Sequence, residues 1–396
     1  MKLKEHRKKS TPKELPQDLK VSHVFVSSFR SESRAIKEMR SLKKALPQAD
    51  ISFVGIRDDD QLSYELFEDQ FEIFRENLKT RSLPKVIFFQ LIKYLEWVLK
   101  AVTRLKKLNP KLIHCHSLGA LPAAVIAKKY LKCSLIYDAH EFETERNGAP
   151  PFQRQIMRSI EKFFIRSTDE VLVVSPSIKD FYQKQYPKKT ISLVVNAPSN
   201  SEVNATRYLD IRKTLGLSNK DFIFLYMGAV AKGRGIDLYM QAFKKLKSPF
   251  HLVFLCHENV SQEIRKIAGE RDNIHWHPAV PHDYVINTIK QADVVIRILE
   301  ATYLSYIYSL PNSVFQAEIA GIPYLVNDEC KDIKSFFGCS PLCIPLKYDV
   351  NVLYNWCKNY TRESFPKREE RADDIYIWET YEEILLNTYK NAMRVL

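Results

Sequence analysis

Short, continuously apolar runs alternate with helical patterns along the chain, and these runs fall into two series. The first series of predicted strands covers residues 21–27, 51–56, 112–116, 134–139, 171–175 and 191–196. The second covers residues 222–227, 251–256, 274–277, 294–299 and 324–326. Runs without polar alternation are typical of parallel strands covered on both faces by helices. The pattern therefore predicts an α/β protein with two doubly wound parallel sheets.

Polar segments divide this pattern into four parts. Residues 1–20 carry seven Lys/Arg and few large apolar side chains, which predicts a basic flexible arm. Residues 21–200 and 201–374 predict two Rossmann-like domains, and residues 375–396 a final helix beyond both sheets. A cleft between the two domains is the expected ligand site.

Composition and charge narrow the class of protein. The chain has 396 residues, of which 45% are hydrophobic, and this excludes disorder as its main state. It has no apolar run near the roughly 18 residues that a membrane span needs, and no secretory signal, so we expect a cytoplasmic protein. The net charge of +13 favours an anionic partner, but no nucleic-acid-binding motif is present. The seven cysteines are expected to be reduced thiols.

The segment from Lys79 to Lys132 is unusually basic. It holds twelve Lys/Arg against one acid, Glu96, and its predicted helix also carries Phe88, Phe89 and Trp97. One interpretation is a helix that packs in the core and exposes only a narrow polar stripe to solvent. The other is a surface that makes peripheral contact with anionic lipid headgroups, each cation contributing about 1 kcal/mol. Both interpretations can hold together.

Three of the ten glycines fall within eight residues, after a predicted strand and before a helix. The residues of interest are Gly228, Lys232, Gly233, Arg234 and Gly235. Small residues let the backbone approach a ligand, and the helix N-terminus and the two cations favour negative charge. The spacing matches neither the dinucleotide fingerprint nor the P-loop. It predicts a site for a diphosphate, with a purely structural turn as the alternative.

A second candidate element begins at Pro311. Proline suits the first turn of a helix, which would leave the N–H groups of Asn312, Ser313 and Val314 free for phosphate oxygens. Glu318 follows about two turns later, where its carboxylate could accept hydrogen bonds from ribose hydroxyls. A nucleoside diphosphate would fit between the two elements.

These motifs together resemble the retaining glycosyltransferases of the GT-B fold, family-four type, from about Val21 to Tyr389. Gly228–Gly235 is similar to the Gly-rich loop of that family, and Glu318, Gly321 and Pro323 match the later part of its two-glutamate motif. The sequence departs from the family at three positions, where Leu310 replaces the first glutamate, Ala229 an arginine and Ser313 a lysine.

The N-terminal half carries further similarities. Residues 33–42, the pair His114 and His116, the run 135–141 and the exit Asn196-Ala197-Pro198 resemble motifs of one family subgroup. The resemblance implies a catalytic role for His140, Arg234 and Glu318. It also places Arg34, His116, Asp138 and Glu141 on the sugar or acceptor side. The final helix is expected to cross back to the first domain, as in the family.

The resemblance implies an enzyme that moves a sugar from a nucleotide-diphosphate sugar to a hydroxyl of a glycan or lipid-linked acceptor, with retention of configuration. Asp58-Asp59-Asp60 is interpreted as a solvated loop, and no metal or other cofactor is expected. Two alternatives stay open: a sugar-nucleotide epimerase of the same fold, and a non-catalytic membrane-associated nucleotide-binding protein.

Overall fold

The computed structural model describes residues 14–30, 32–256, 262–365 and 376–394. Its first sheet has eight strands in the order β3-β4-β2-β1-β5-β6-β7-β8, with β3–β4 antiparallel and the other recorded pairs parallel. The strands are β1 (Lys20–Val24), β2 (Asp50–Ile56), β3 (Tyr64–Phe67), β4 (Phe71–Glu76), β5 (Leu112–His116), β6 (Ser134–Ala139), β7 (Glu170–Val173) and β8 (Ile191–Leu193).

Five helices accompany this sheet: α1 (Ser33–Ala45), α2 (Ile87–Leu108), α3 (Ser117–Leu131), α4 (Pro151–Phe164) and α5 (Pro176–Gln185). The apolar strand interiors are buried on both faces, as the uninterrupted hydrophobic runs require. His23 of β1 pairs in register with His114 of β5, and His116 of β5 pairs with Asp138 of β6. The carboxyl ends of three neighbouring strands therefore bring polar side chains to one edge of the sheet.

The second sheet has six parallel strands in the order β11-β10-β9-β12-β13-β14. They are β9 (Phe222–Met227), β10 (Phe250–Cys256), β11 (Ile274–Pro278), β12 (Val294–Arg297), β13 (Tyr324–Asn327) and β14 (Cys343–Leu346). The helices are α6 (Asn200–Val203), α7 (Ile211–Leu215), α8 (Ile236–Lys245), α9 (Gln262–Glu270), α10 (His282–Ile289), α11 (Leu304–Ile307), α12 (Asn312–Ala320), α13 (Lys331–Phe337) and α14 (Val350–Lys358).

The last helix, α15 (Glu379–Met393), follows the second sheet in the chain but packs on the first. The backbone N–H of Trp378 donates to the carbonyl of Pro198 (2.7 Å), and its indole N–H donates to Ser41 Oγ (2.8 Å). Ser134 Oγ donates to the carbonyl of Ala392 (2.7 Å). The predicted α/β architecture of two doubly wound sheets with a helix crossing back is confirmed.

Some predictions of local structure were wrong. Strands β3 and β4 were missed because charged residues interrupt their apolar runs. Strand β14 was missed because its run Cys-Ile-Pro-Leu is only four residues long and contains a proline. The first twenty residues are not all a free arm, since Leu15 and Leu19 are buried in the core. Residues 1–13, 375 and 395–396 of the predicted terminal segments lie outside the described part. The domain limits near residues 200 and 374 stay predictions.

Candidate functional site

A cleft of about 440 Å³ lies between the two sheets. The first half of the chain contributes Phe25, Glu32, Ser117, His140, Glu141, Arg146 and Asn147, and the second half Ala231, Arg234, Ser305 and Tyr306. The amide of Asn147 donates to the carbonyl of Lys232 across this cleft (2.6 Å). The predicted catalytic histidine and the Gly-rich loop therefore face one another.

The Gly-rich loop requires its glycines for conformation and for space. Gly233 and Gly235 both have φ of +80°, and Gly235 is the N-cap of α8. A Cβ at Gly233 would lie 2.4 Å from the Asn147 amide nitrogen, and one at Gly235 would lie 2.4 Å from the carbonyl oxygen of Ile298. Positive φ and such contacts exclude larger side chains. Lys232 is exposed beside the cleft.

Two arginines converge on the remaining glycine of this loop. A Cβ placed on Gly228 would lie 3.5 Å from Nη1 of Arg297 and 3.9 Å from Nη1 of Arg234. Each guanidinium has a buried Nε for which the described residues supply no hydrogen-bond partner. Arg297 ends β12, and sequence reasoning missed it because it stands alone after an apolar strand. A buried guanidinium and a half-buried one, each with an unused Nε–H, converge on one glycine and form a site suited to an anion.

The second candidate element differs slightly from its prediction. Helix α12 begins at Asn312, and Pro311 is its N-cap rather than its first-turn residue. The N–H of Val314 donates to the carbonyl of Pro311 (3.0 Å), so it is not free for phosphate as predicted. Ser313 is buried, and its hydroxyl has no recorded partner among the described residues.

Glu318 is not placed for the predicted ribose contact. Its side chain is buried in the second domain and accepts from the Tyr324 hydroxyl (2.8 Å) and from Ser340 Oγ (2.8 and 2.9 Å). Gln316, in contrast, lies one turn after Ser313, and Glu318 is about 200° further around the helix than Gln316. Sequence reasoning chose the charged residue, whereas helical geometry places Gln316 on the face of Ser313.

His140 follows β6 at the carboxyl edge of the first sheet and lines the cleft. Its Nε2 lies 3.1 Å from Asp138 Oδ2 and 2.8 Å from His116 Nδ1. The ring of Phe25 packs edge-on against the imidazole at 5.1 Å. Its predicted position at the ligand site agrees with this geometry, and its catalytic role stays a prediction.

Three other predicted sugar-side or acceptor-side residues lie beneath His140 rather than in the cleft. Asp138 and His116 are fully buried, and Arg34 is nearly so. Arg34 donates to both carboxylate oxygens of Asp138 (2.7 and 2.9 Å) and lies 3.1 Å from Glu38 Oε1. These side chains can therefore act on a ligand only through His140. Glu141 differs, because it is exposed in the cleft and lies 4.0 Å from Arg146.

Charge is divided unequally in this buried cluster. Burial alone would raise the pKa of Asp138, but Arg34, followed by His140, holds that pKa well below its usual range. Burial, reinforced by Asp138, raises the pKa of Glu38 well above its usual range. Burial also lowers the pKa of His116 well below its usual range. Asp138 is thus the ionised partner of Arg34, whereas His116 is neutral.

Three imidazoles stack below the cleft and are joined by hydrogen bonds. The rings of His23, His114 and His116 lie 4.6 to 5.1 Å apart. Nε2 of His116 lies 2.8 Å from Nδ1 of His23. The Tyr389 hydroxyl of α15 lies 2.6 Å from His114 Nδ1 and 3.5 Å from His23 Nε2. Sequence reasoning missed His23 and Tyr389, because their separation along the chain hides their contact.

The same cluster holds the donor types of a metal site. Ligand atoms of Glu38, His114, His116 and Asp138 lie within 4.8 Å of one another. However, Arg34 already places a positive charge against both carboxylates. A guanidinium in this position supplies the compensation that a buried pair of acids needs. Asp58 and Asp60 instead form ion pairs with Arg81 and Arg30, and Asp59 is exposed, as expected of a solvated loop.

Comparison with known families assigns the chain to a class. Residues 39–197 match the family model described as Glycosyltransferase Family 4, and residues 208–333 match that described as Glycosyl transferases group 1. The chain is a glycosyltransferase of the family-four type with the GT-B fold.

Individual relatives are distant. The chain is 25% identical over 104 residues to the lipopolysaccharide 1,2-N-acetylglucosaminetransferase of Salmonella typhimurium, a match that spans 26% of this chain and 27% of the relative. Its structure is similar to that of sucrose-phosphate synthase from Thermosynechococcus elongatus, with a TM-score of 0.75, 15% identity and coverage of 96% and 100% of the two chains. It is also similar to Anabaena HepE in complex with UDP-glucose, with a TM-score of 0.70, 12% identity and coverage of 94% and 99%.

Proposed function

We propose that this glycosyltransferase uses a nucleoside-diphosphate sugar as donor and transfers the sugar with retention to a hydroxyl of a glycan or lipid-linked acceptor in surface polysaccharide or glycolipid synthesis. The observation that carries the donor class is the convergence of Arg234 and Arg297 on Gly228 at the cleft. The relative from Salmonella that acts on lipopolysaccharide, and the HepE complex with UDP-glucose, support the pathway and the donor.

The donor diphosphate would lie over Gly228, against the two guanidinium groups and the N-terminus of α8. Its charge grows as the bond between the anomeric carbon and the phosphate oxygen breaks. Fixed cations near that oxygen stabilise the developing charge and so lower the barrier. The N-terminus of α12, with Ser313 and Gln316 on one face, would hold the nucleoside end.

Retention follows from attack on the face that the diphosphate leaves. The acceptor hydroxyl would bond to the anomeric carbon and pass its proton to the departing phosphate oxygen, so no protein base is needed. His140 would bind a hydroxyl of the transferred sugar, and the exposed Glu141 and Arg146 would border the acceptor. Because Arg234 and Arg297 already supply the positive charge, we propose that the reaction needs no metal.

The donor site is tested by thermal unfolding with a panel of nucleoside diphosphates, each with magnesium and with EDTA. We expect one nucleotide to raise the melting temperature in both conditions, since binding to the folded state alone contributes about 2.7 kcal/mol at 100 times the Kd. Arg234→Ala should abolish this shift. Arg207→Ala, at an exposed ion pair in the same domain, is the matched control. No shift with any nucleotide would contradict the donor assignment.

Transfer itself is tested by product analysis with the donor so identified. Incubation of donor alone separates the alternatives, because only an epimerase converts the sugar nucleotide without an acceptor. With an acceptor, the anomeric configuration of the product by NMR tests retention. An inverted product would refute the proposed mechanism while leaving the donor site intact.

The surface of α2, α3 and α4 supports peripheral membrane contact. These helices pack side by side, and they carry eleven of the eighteen large apolar side chains that are exposed among the described residues. Ile87, Leu99 and Phe152 are 86%, 69% and 70% exposed. Twelve Lys/Arg lie between residues 79 and 132. Exposed apolar groups with flanking cations suit an anionic bilayer surface, and we propose the cytoplasmic leaflet. None of the described helices is long and apolar enough to cross a bilayer.

Sedimentation with lipid vesicles tests this surface. Wild-type protein should bind vesicles that contain anionic lipid and should bind neutral vesicles weakly. The double variant Ile87→Ser and Phe152→Ser should lose most of this binding. Tyr208→Ser removes an exposed aromatic of the second domain and should change nothing. Equal binding of all three proteins would contradict the membrane assignment.

A further inference from the structure

A line of hydrogen bonds runs inward from the cleft to the crossover helix. It begins at His140, continues through His116 and His23, and reaches the Tyr389 hydroxyl and then His114. Distances along it are 2.8, 2.8, 3.5 and 2.6 Å. Beyond His114, its Nε2 lies 3.4 Å from a carboxylate oxygen of helix α1. One continuous line therefore connects the cleft with two helices.

With every imidazole neutral, such a line has two proton arrangements. A neutral imidazole has one N–H donor and one acceptor nitrogen, and a tyrosine hydroxyl donates one hydrogen. If His140 donates from Nε2, then His116 and His23 must also donate from Nε2, and Tyr389 must donate to His114. In the opposite arrangement every one of these bonds is reversed. The tautomer of His140 and the direction of every hydrogen bond in the line therefore determine one another.

Asp138 selects between the two arrangements. Its ionised carboxylate, held by Arg34, lies 3.1 Å from Nε2 of His140. A carboxylate only accepts, so the reversed arrangement would set a lone pair of His140 against a negative oxygen. The same Asp138 oxygen lies 3.6 Å from Nδ1 of His116, which only accepts when His140 donates. The contact at His140 is the shorter one, so it decides in favour of hydrogen on Nε2 of His140. At the inner end, His114 then carries its hydrogen on Nε2, which lies 3.4 Å from Glu38 Oε2 without forming a hydrogen bond among the described residues.

We propose that the histidine line holds His140 as the Nε2–H tautomer, so that its Nδ1 accepts a hydrogen bond from a hydroxyl of the bound sugar. This role rests on the proposed function of the cleft. His116, His23 and Tyr389 are positioning residues, because they act on the ligand only through His140. Because α15 supplies Tyr389, the crossover helix helps to position His140 in the cleft.

The tautomer is measured directly on the unliganded wild-type protein. Nitrogen-15 NMR of histidine-labelled protein distinguishes protonated from unprotonated ring nitrogens, and His140→Gln assigns the signal. We expect hydrogen on Nε2 and none on Nδ1 of His140. Hydrogen on Nδ1 would overturn the proposal. This measurement needs no substrate, so it tests the tautomer of His140 even if the protein turns over no donor. A wrong tautomer can therefore be distinguished from a wrong proposed function.

The role of the remote hydroxyl is tested with Tyr389→Phe, which keeps the ring and removes the link between His23 and His114. We expect mixed tautomers at His116 and a kcat about three- to tenfold lower, with little change in the KM for donor. Tyr381→Phe, a buried tyrosine of α15 away from the line, is the matched control. Equal kcat and equal NMR spectra in the two variants would overturn the role of Tyr389. Stoichiometric bound zinc in the purified protein would overturn the line itself, since His114 and His116 would then bind metal.

Discussion

Replacing Arg297 with methionine separates a ligand-binding role from a structural one. Methionine keeps most of the buried volume of the side chain and removes its charge. A phosphate charge 4 Å from the guanidinium would interact with it by about 4 kcal/mol at an effective dielectric constant of 20. After solvation, a hydrogen bond to a charged group contributes about 1.5–3 kcal/mol net. We therefore expect kcat/KM to fall by about 10- to 150-fold.

The same substitution should not destabilise the unliganded protein. Arg297 forms no ion pair among the described residues, and its guanidinium is buried near that of Arg234. Removal of an uncompensated buried charge is expected to leave the melting temperature unchanged or raise it. Arg212→Met breaks a partly buried ion pair with Asp293 at 3.1 Å, so it should lower the melting temperature without affecting nucleotide binding.

Differential scanning fluorimetry with and without the nucleoside diphosphate measures the melting temperature and its shift on nucleotide binding in one experiment. Initial rates give kcat/KM. The expected pattern for Arg297→Met is a preserved melting temperature and a lost nucleotide shift. A melting temperature several degrees lower, with the nucleotide shift intact, would refute the assignment of Arg297 to the diphosphate.

Three further outcomes are expected. Burial raises the pKa of Glu161 to about 7, so the folded protein is stabilised while this carboxyl is protonated. As pH rises from about 4.5 to 7, the free energy of unfolding of wild type should therefore fall by about 3 kcal/mol relative to that of Glu161→Gln. An equal pH dependence of the two free energies, measured by urea unfolding, would contradict this. Gly233→Ala should lower kcat strongly because its Cβ meets the opposite domain, whereas Gly216→Ala, also at positive φ but with open space, should lose only about 1 kcal/mol of stability. Trp378→Phe should lose the indole bond to Ser41 and about 1 kcal/mol of stability, measured by thermal unfolding.

The sequence was sufficient to predict features that depend on local pattern. Continuous apolar runs located most strands, and the glycine spacing located the loop that faces His140. Strand β4 escaped prediction because three of its six residues are charged and interrupt the apolar ones, as suits a strand near the sheet edge. The pattern of one element cannot indicate such a position, because the position depends on neighbouring strands.

The candidate site was predictable only in part, for a similar reason. His140 and Arg234 stand next to recognisable motifs. Arg297 does not, and its relation to Gly228 arises only when β12 and β9 pair. Glu318 was misplaced because a carboxylate about two turns into this helix suggests a ribose contact, whereas its partners Tyr324 and Ser340 come from later in the chain.

The crossover helix also bears on the order in which the protein can fold during synthesis. A ribosome completes β1 to β8 long before it makes residues 379–393, so the first sheet leaves the exit tunnel without the helix that covers part of it. Until then, the histidine stack lacks the Tyr389 hydroxyl and Ser134 lacks its acceptor on Ala392. The first domain should therefore mature last although it is made first, and a premature stop before α15 should yield a chain that needs chaperone protection.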